Sequence, residues 1–442
     1  MNNALGKNFN FTSLILFTLP NIIMMIFLSL YTIVDGIFIS RFVGTVALSA
    51  TNMSFPVTCV EMAIGIMLAT GGSAVIARQL GEGDIKRAKK NFTFIVTVSF
   101  VVGVIIAVVC NIFLDNILIW LGTSSAQFEY CKSYTRILLI FAPAFFLQTV
   151  FQTLFVTAGK PLMGLIVIMF AGIANMVFDY VFIVLFKMGI DGAAYATVIG
   201  YLIPAVSGIL YFLFNKNGSL HFVKFDIDVK MLLKACGNGS SEMVTNIANA
   251  VTTFLFNLIF MKFYGEDGVA SITIVLYFQF VFQAVFFGFS MGTAPVFSFK
   301  YGSNDIGQIK QCFKNSIIFI LICAVLSYGS SIILIKPALG IFTIPGTNVY
   351  NITLEGFPLF ALSFVIMGIS IFASSMFTAF SDGKVSAVIS MGRTFVFLVG
   401  SLLILPVVIG KTGAWLAVPA AELMGVAVSI YYLIVKKVVY KY

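Results

Sequence analysis

The chain has few charged residues and almost no histidine. Asp, Glu, Lys and Arg make up 10% of its 442 residues, and His221 is the one histidine. Soluble domains carry about 25% charged residues, so this composition excludes an ordinary soluble protein. The sequence also lacks an aspartate-rich or His/Cys ligand motif, which argues against a membrane-embedded enzyme that works with a metal or an acid–base cluster.

The cysteines do not indicate a function, and the sequence does not begin like a cleavable signal peptide. The six cysteines lie mostly within or beside apolar runs and show no metal or disulfide spacing. We therefore interpret them as packing residues. The first apolar run lacks the charged segment and short core of a signal peptide, so we expect it to stay in the protein.

Apolar runs fill most of the sequence instead. Hydrophobic residues make up 60% of the chain, and 48 residues are Phe. Twelve runs are long enough to cross a hydrocarbon core of about 30 Å. They lie at 14–40, 46–77, 91–113, 134–158, 162–186, 192–214, 239–261, 269–291, 313–335, 356–380, 385–408 and 413–435. Lipid offers the backbone no hydrogen-bond partner, and the runs do not alternate like barrel strands. We therefore predict an all-α integral membrane protein with twelve transmembrane helices.

The distribution of basic residues predicts the orientation of the chain. If both termini are cytoplasmic, 18 Lys and Arg lie in inside segments and 7 in outside segments. Cytoplasmic loops carry such an excess. We therefore predict a multi-pass protein of the cytoplasmic membrane with both ends inside, in contact with the lipid bilayer. The net charge of +9 then reflects topology, and we expect no nucleic-acid partner.

An internal repeat divides the chain into two similar halves. Laying the sequence on itself at an offset of 221 pairs Gly44 with Gly265, Gly71 with Gly292, Gly81 with Gly302 and Asp84 with Asp305. We predict a six-helix lobe at 1–214, a basic linker at 215–238 and a second six-helix lobe at 239–442. Two parallel halves around a central cleft are typical of secondary transporters that work by alternating access. Duplication also builds channels and membrane enzymes, so the repeat alone does not decide between them.

Several motifs in a fixed order give the chain a resemblance to a known family. They are "LYTIVDGIFISRFVG", "GGSAVIARQLGEGD", "APAFFLQTVFQTLFVTAGKP" and "NMVFDYVFIVLFKMGIDGAAYATVIGY". The sequence resembles the multidrug and toxic compound extrusion (MATE) family over nearly its whole length, and within it the MepA-like bacterial branch. The resemblance implies two pseudo-symmetric six-helix bundles around a central cleft in a bacterial cytoplasmic membrane.

Two aspartates within apolar runs form the first candidate site. A carboxylate at membrane depth costs several kcal/mol, so it usually faces a cavity, pairs with a partner or carries a proton. Asp35 is predicted in the outer half of the first helix, Asn175 and Asp179 share a face of the fifth, and Thr197 lies near the outer end of the sixth. This all-oxygen set suits Na⁺ or a shared proton, or it is a polar network that locks three helices. The resemblance implies that the four residues form the amino-lobe cation site, and thus the metal ligands if the ion is Na⁺.

Other residues are candidates for the substrate wall and for a hinge. Tyr31 lies one turn from Asp35 and should face the same cavity, whereas Gln148 and Gln152 either line it or bind a neighbouring helix. Glu61 has no cationic partner on its helix, which favours exposure to a cavity and contact with substrate. Pro20 leaves a carbonyl unpaired in the first helix, so it is either a hinge or a static kink.

Three charged residues stand out in the second half. Glu242 either faces the cavity of that half or acts near a helix start, where negative charge is favoured. Some members of the family carry an essential acid further along this helix, where Asn246 to Asn249 stand here, and this departure argues against a second cation site. Arg393 and Glu422 are predicted to form a buried ion pair.

The function that these features predict is antiport. We expect a monomer without cofactors that exports hydrophobic organic cations against inward H⁺ or Na⁺, since aromatic faces and unpaired carboxylates favour positive charge. The alternative is a flippase, or an exporter of another amphipathic metabolite, on the same superfamily fold. Such proteins tend to carry several cationic residues in the cavity, whereas the charges within the spans here are mainly acidic.

Overall fold

The structure, a computed structural model, describes residues 4–123 and 125–442. Within these residues every regular element is helical, which confirms the predicted all-α class. The α-helices are α1 (Phe11–Phe38), α2 (Thr45–Gly81), α3 (Ile85–Ile112), α4 (Leu114–Trp120), α5 (Ser125–Ile140), α6 (Ala142–Thr157), α7 (Pro161–Asp179), α8 (Ile190–Phe214), α9 (Val229–Tyr264), α10 (Glu266–Gly302), α11 (Ile306–Phe342), α12 (Asn348–Ala361), α13 (Ser363–Ala379), α14 (Gly383–Met391) and α15 (Leu398–Tyr440).

The helices give fewer candidate membrane crossings than the twelve apolar runs of the sequence. Over the described ranges, nine helical segments are long and apolar enough to cross a membrane, and two bent pairs raise the number to eleven if each pair is one crossing. The last segment, Gly383–Tyr440, has 58 residues and would span about 87 Å if straight, nearly three bilayer cores. The count of twelve therefore stays a prediction.

The backbone of α15 turns back on itself within this last segment. Ile409 and Gly410 have non-helical φ and ψ angles. A methyl group added to Gly413 would clash with the Leu405 carbonyl, which a straight helix would hold about 12 Å away along its axis. The same turn occurs in the first half, where Gly189 has φ 64° and ψ −139° against φ 62° and ψ −139° at Gly410, 221 residues later.

Two repeated loops also have the same local structure. The Asp84 carboxylate accepts a hydrogen bond from the Arg87 amide at 3.1 Å, and this bond caps the start of α3. The Asp305 carboxylate accepts one from the Gln308 amide at 3.1 Å and caps α11. A side-chain acceptor at this position satisfies an amide that has no partner within the helix. The repeated sequence therefore forms the same turn in both halves of the chain.

The connection between α8 and α9 packs on the start of α3. It runs from 215 to 228, because Asp228 caps α9 ten residues before the end of the predicted linker. The Val223 amide donates to the Thr93 hydroxyl at 3.1 Å, and the Lys90 ammonium lies 2.6 Å from the Asp226 carboxylate. The hydrogen bond from this ammonium, together with its positive charge, lowers the pKa of Asp226 below its usual value. The division into lobes stays a prediction.

The two repeats meet through α1 against α10, α2 against α9 and α2 against α10. At one end the contact is made by glycines: Gly81 packs on the Phe299 carbonyl, and Gly302 packs on the Arg78 carbonyl. Both pairs are related by the 221-residue offset, so the contact has an internal twofold symmetry. Gly71 likewise packs on the backbone of Ala235 and Gly239. We call these contacts the glycine seal.

Both ends of the described chain lie beside the glycine seal. The Lys300 ammonium donates to the Gly6 carbonyl at 3.2 Å. The Tyr440 ring packs on Tyr301 with their centroids 5.7 Å apart, and Tyr442 is 4% exposed. The seal therefore closes the end of the molecule that carries both termini. That this end is cytoplasmic stays a prediction.

Candidate functional site

Helices α1, α7 and α8 bring the four predicted cation-site residues together. α7 packs on both α1 and α8. Asp179 ends α7 and is fully buried, and Asn175 lies one turn earlier with 2% exposure. Asp35 lies three residues before the end of α1 and is partly exposed. Thr197, in the second turn of α8, donates its hydroxyl to the Ala193 carbonyl at 3.0 Å.

The carboxyl groups of Asp35 and Asp179 lie close enough to interact electrostatically. Both oxygens of Asp179, one oxygen of Asp35 and the amide oxygen of Asn175 are buried without a hydrogen-bond partner among the described residues. No described Lys, Arg or His forms an ion pair with either aspartate. Two buried carboxylates repel each other, so this set of oxygen acceptors favours a shared proton or a hard cation.

Three tyrosines surround these carboxylates. Tyr31, on α1, and Tyr134, on α5, both lie near Asp35 and Asp179. Tyr201, on α8, lies near Asp35 and Tyr134, and its ring packs on Phe145 at 5.1 Å. Of these three tyrosines, only Tyr31 was predicted from the sequence. Tyr201 could have been found because it follows Thr197 by one helical turn, but nothing in the sequence places α5 beside Asp35.

A small cavity lies about one helical turn from the aspartates. Its lining includes Leu28, Tyr31, Gln148, Asn175, Thr197 and Gly200. The structure thus brings Tyr31 and Gln148 to the same wall as Asn175 and Thr197. Gln152 does not line this cavity, and its amide nitrogen lies 4.0 Å from the Met25 sulfur.

Glu61 and Pro20 are not among the residues that line this cavity. Glu61 is 5% exposed, and one of its carboxylate oxygens is buried without a hydrogen-bond partner among the described residues, so its contact with substrate stays a prediction. Gly65, one turn along α2, packs against Phe145 and Thr149, so this face of α2 lies against α6. The sequence could not show which face α6 covers. Pro20 lies inside a continuous α1, and its role as a hinge stays a prediction.

The second half contains the predicted ion pair. The Arg393 guanidinium lies 2.9 Å from the Glu422 carboxylate, and the two side chains are 5% and 7% exposed. This confirms the pairing. Glu242 lies near Arg393. The alternative that Glu242 acts near a helix start is wrong, because α9 begins at Val229, more than three turns earlier.

Comparisons with known proteins agree on one family. The sequence model of the MatE family matches residues 20–181 and 243–403 of this chain. The multidrug export protein MepA of Staphylococcus haemolyticus is 25% identical over 93% of this chain and 90% of its own length. MepA of Staphylococcus aureus is 24% identical over 93% of this chain and 91% of its own.

Solved structures share the fold. An outward-facing multidrug resistance MATE family transporter of the MOP superfamily superposes with a TM-score of 0.93 and 20% identity, over 99% of this chain and 98% of its own. A MOP superfamily transporter from Pyrococcus furiosus gives a TM-score of 0.92 at 20% identity, over 100% and 99%. The two family matches cover most of the chain, one in each repeat, and the chain therefore belongs to the MATE family of membrane transporters.

Proposed function

We propose that the protein is an antiporter that exports hydrophobic organic cations in exchange for H⁺ or Na⁺. Asp35 and Asp179 bind and release the coupling ion, with Asn175 and Thr197 as further oxygen ligands. The observation that supports this proposal is the pair of carboxylates, three of whose four oxygens are buried without a hydrogen-bond partner among the described residues. A structural network would satisfy these oxygens, whereas an ion-exchange site has to leave them available.

The charges favour cations as substrates. Tyr31 and Gln148 line the cavity beside the aspartates, and aromatic faces and carboxylates both attract positive charge. Lipid-linked precursors carry pyrophosphate and would need cationic side chains here. Arg393 is buried in the second half and is already paired with Glu422. The relatives named as multidrug export proteins support the same reading.

The proposal includes the topology. The helical turn at Gly410 divides α15 into two crossings, which with the other segments makes twelve. The halves 1–214 and 239–442 move as lobes of a monomer in a bacterial cytoplasmic membrane, with both termini inside. The glycine seal then closes the cytoplasmic end, so the cavity at Asp35 communicates with the outside. Alternating access requires the seal to open while the outer end closes.

Ethidium efflux from proteoliposomes tests the proposal. The drive is either a pH gradient without Na⁺ or a Na⁺ gradient at equal pH. We expect one gradient to drive efflux, and the Asp35→Asn and Asp179→Asn variants to lose it while remaining folded. Asp115→Asn is the matched control, because Asp115 lies in the same half at the surface and pairs with Lys132 at 2.8 Å. Full activity of both site variants would refute the ion site.

The outcome without efflux is also informative. If neither gradient drives ethidium out of vesicles that contain folded protein, this result would contradict the proposed organic-cation substrate. It would favour the flippase alternative. A fluorescent lipid-linked phosphate then serves as the substrate in the same vesicles. Transport of that lipid without either gradient would replace antiport with lipid flipping.

A further inference from the structure

Glu61, on α2, is a buried carboxyl group without a charged partner. It is 5% exposed, and one of its oxygens is buried without a hydrogen-bond partner among the described residues. No described Lys, Arg or His forms an ion pair with it. An isolated carboxylate at membrane depth costs several kcal/mol, so burial favours the form of Glu61 that carries a proton.

The face of α2 that carries Glu61 points into the first repeat. Ser54 lies two turns earlier on this face and accepts a hydrogen bond from the Thr135 hydroxyl of α5 at 2.7 Å. Cys59 lies about 200° around the helix from Glu61 and faces the second repeat, where its thiol donates to the Asn246 carbonyl of α9 at 3.3 Å. Glu61 is therefore enclosed by helices of the first repeat and does not face the contact between the repeats.

Two titratable groups on neighbouring helices lie close enough to Glu61 to interact electrostatically, the thiol of Cys110 on α3 and the hydroxyl of Tyr201 on α8. Tyr201 interacts in the same way with Asp35. It follows Thr197 by one helical turn, so both side chains lie on one face of α8. A tyrosine hydroxyl both donates and accepts hydrogen bonds. It can give its proton to one carboxylate as it takes a proton from the other carboxyl group, which moves one proton and leaves the tyrosine unchanged.

Glu61 lies closer to the glycine seal than Asp35 does. The chain turns between α1 and α2 at Gly44. Asp35 precedes this turn by about 13 Å of helix, whereas Glu61 follows it by about 25 Å. Gly71 of the seal lies about 15 Å further along α2. In the proposed topology, Glu61 is therefore on the cytoplasmic side of the ion site.

We propose that Glu61 is a second proton-binding site, which receives the coupling proton from the ion site at Asp35 and Asp179 through the Tyr201 hydroxyl. We call this path the proton relay. The inference rests on the proposed function, with H⁺ as the coupling ion, and deepens it. Glu61 holds the proton on the cytoplasmic side of the ion site until the glycine seal opens, and releases it there.

Ethidium efflux from proteoliposomes under a pH gradient tests the proton relay. Glutamine has the shape of a protonated glutamate but cannot release a proton, so Glu61→Gln preserves a structural role and blocks the relay. We expect it to slow efflux about tenfold or more, while the affinity for ethidium in detergent stays unchanged. Tyr201→Phe should also slow efflux, because it removes the hydroxyl that passes the proton. Glu129→Gln is the matched control, since Glu129 is exposed on α5 in the same half.

Infrared spectroscopy of the purified protein detects the proton on Glu61 without any transport. We expect a carbonyl band of a protonated carboxylic acid that responds to pH and that Glu61→Gln removes. Wild-type efflux in Glu61→Gln, or a spectrum that this variant does not change, would overturn the proposal. So would weaker ethidium binding in Glu61→Gln, because Glu61 would then contact the substrate.

The failure of the relay and the failure of antiport give different results. Efflux driven by a Na⁺ gradient alone would overturn the proton relay and leave antiport intact. A Glu61 band that responds to pH, in protein that moves no ethidium under either gradient, would refute antiport and leave the proton site intact.

Discussion

The glycine seal predicts that adding one methyl group changes the conformational equilibrium of the whole molecule. In Gly71→Ala the new Cβ would meet the Ala235 carbonyl and the Gly239 amide nitrogen. Both are backbone atoms of a helix, so they cannot rotate away as a side chain could. Overpacking of this kind costs about 1–3 kcal/mol, and the cost applies only while the two repeats are in contact. The equilibrium should therefore shift by about 5- to 150-fold towards the conformation in which the seal is open.

Spin-label distances measure this shift. Lys86 and Lys310 are exposed near the seal, one in each repeat, and labels there in a cysteine-free background report the separation of the halves. We expect Gly71→Ala to add a population with a longer distance and to lower the efflux rate. Gly237→Ala is the matched control, because it lies on α9 two residues before Gly239 and a methyl group there meets nothing within 4 Å. Identical distance distributions in the two variants would refute the argument.

Two further predictions concern stability. Arg393→Ala should lower the free energy of unfolding by about 3–5 kcal/mol because it leaves Glu422 buried and unpaired, whereas the double variant Arg393→Met, Glu422→Met should recover most of it. Thermal unfolding in detergent measures both, and an equally unstable double variant would contradict the explanation. Asp84→Ala removes one helix cap and should cost about 1 kcal/mol. Asp305→Ala removes the equivalent cap and also the ion pair with Lys300 at 3.3 Å, so it should cost more. A larger loss in Asp84→Ala than in Asp305→Ala would contradict this explanation.

The sequence predicted best where a local pattern decides the structure. Apolar runs predicted the helices, and the offset of 221 predicted equivalent caps at Asp84 and Asp305. The Arg393–Glu422 pair followed from the cost of leaving either charge alone in a buried helix. The surroundings of residues that depend on packing between helices were harder to predict from the sequence. Burial of Glu61 depends on which face of α2 meets α6, and Tyr134 reaches the aspartates only because α5 packs on α8.

The start of α9 was also not predicted correctly from the sequence. Residues 229–238 contain three charged or polar side chains among apolar ones, and the sequence suggested a linker there. The structure continues the helix through them because Asp228 caps it and Met231 and Ala235 are buried. Glu242 therefore lies in the interior of α9 and not at its start.

The glycine seal is built from backbone atoms, and this leaves the neighbouring side chains free to differ between the repeats. Arg78 and Phe299 are equivalent positions, and each supplies only its carbonyl to a glycine of the other repeat. Their side chains make different contacts. The Arg78 guanidinium lies 5.1 Å from the centre of the Tyr301 ring, and the Phe299 ring packs against Gly6. After a duplication, each copy can thus accept substitutions around this contact independently of the other, while both copies keep the same closing surface.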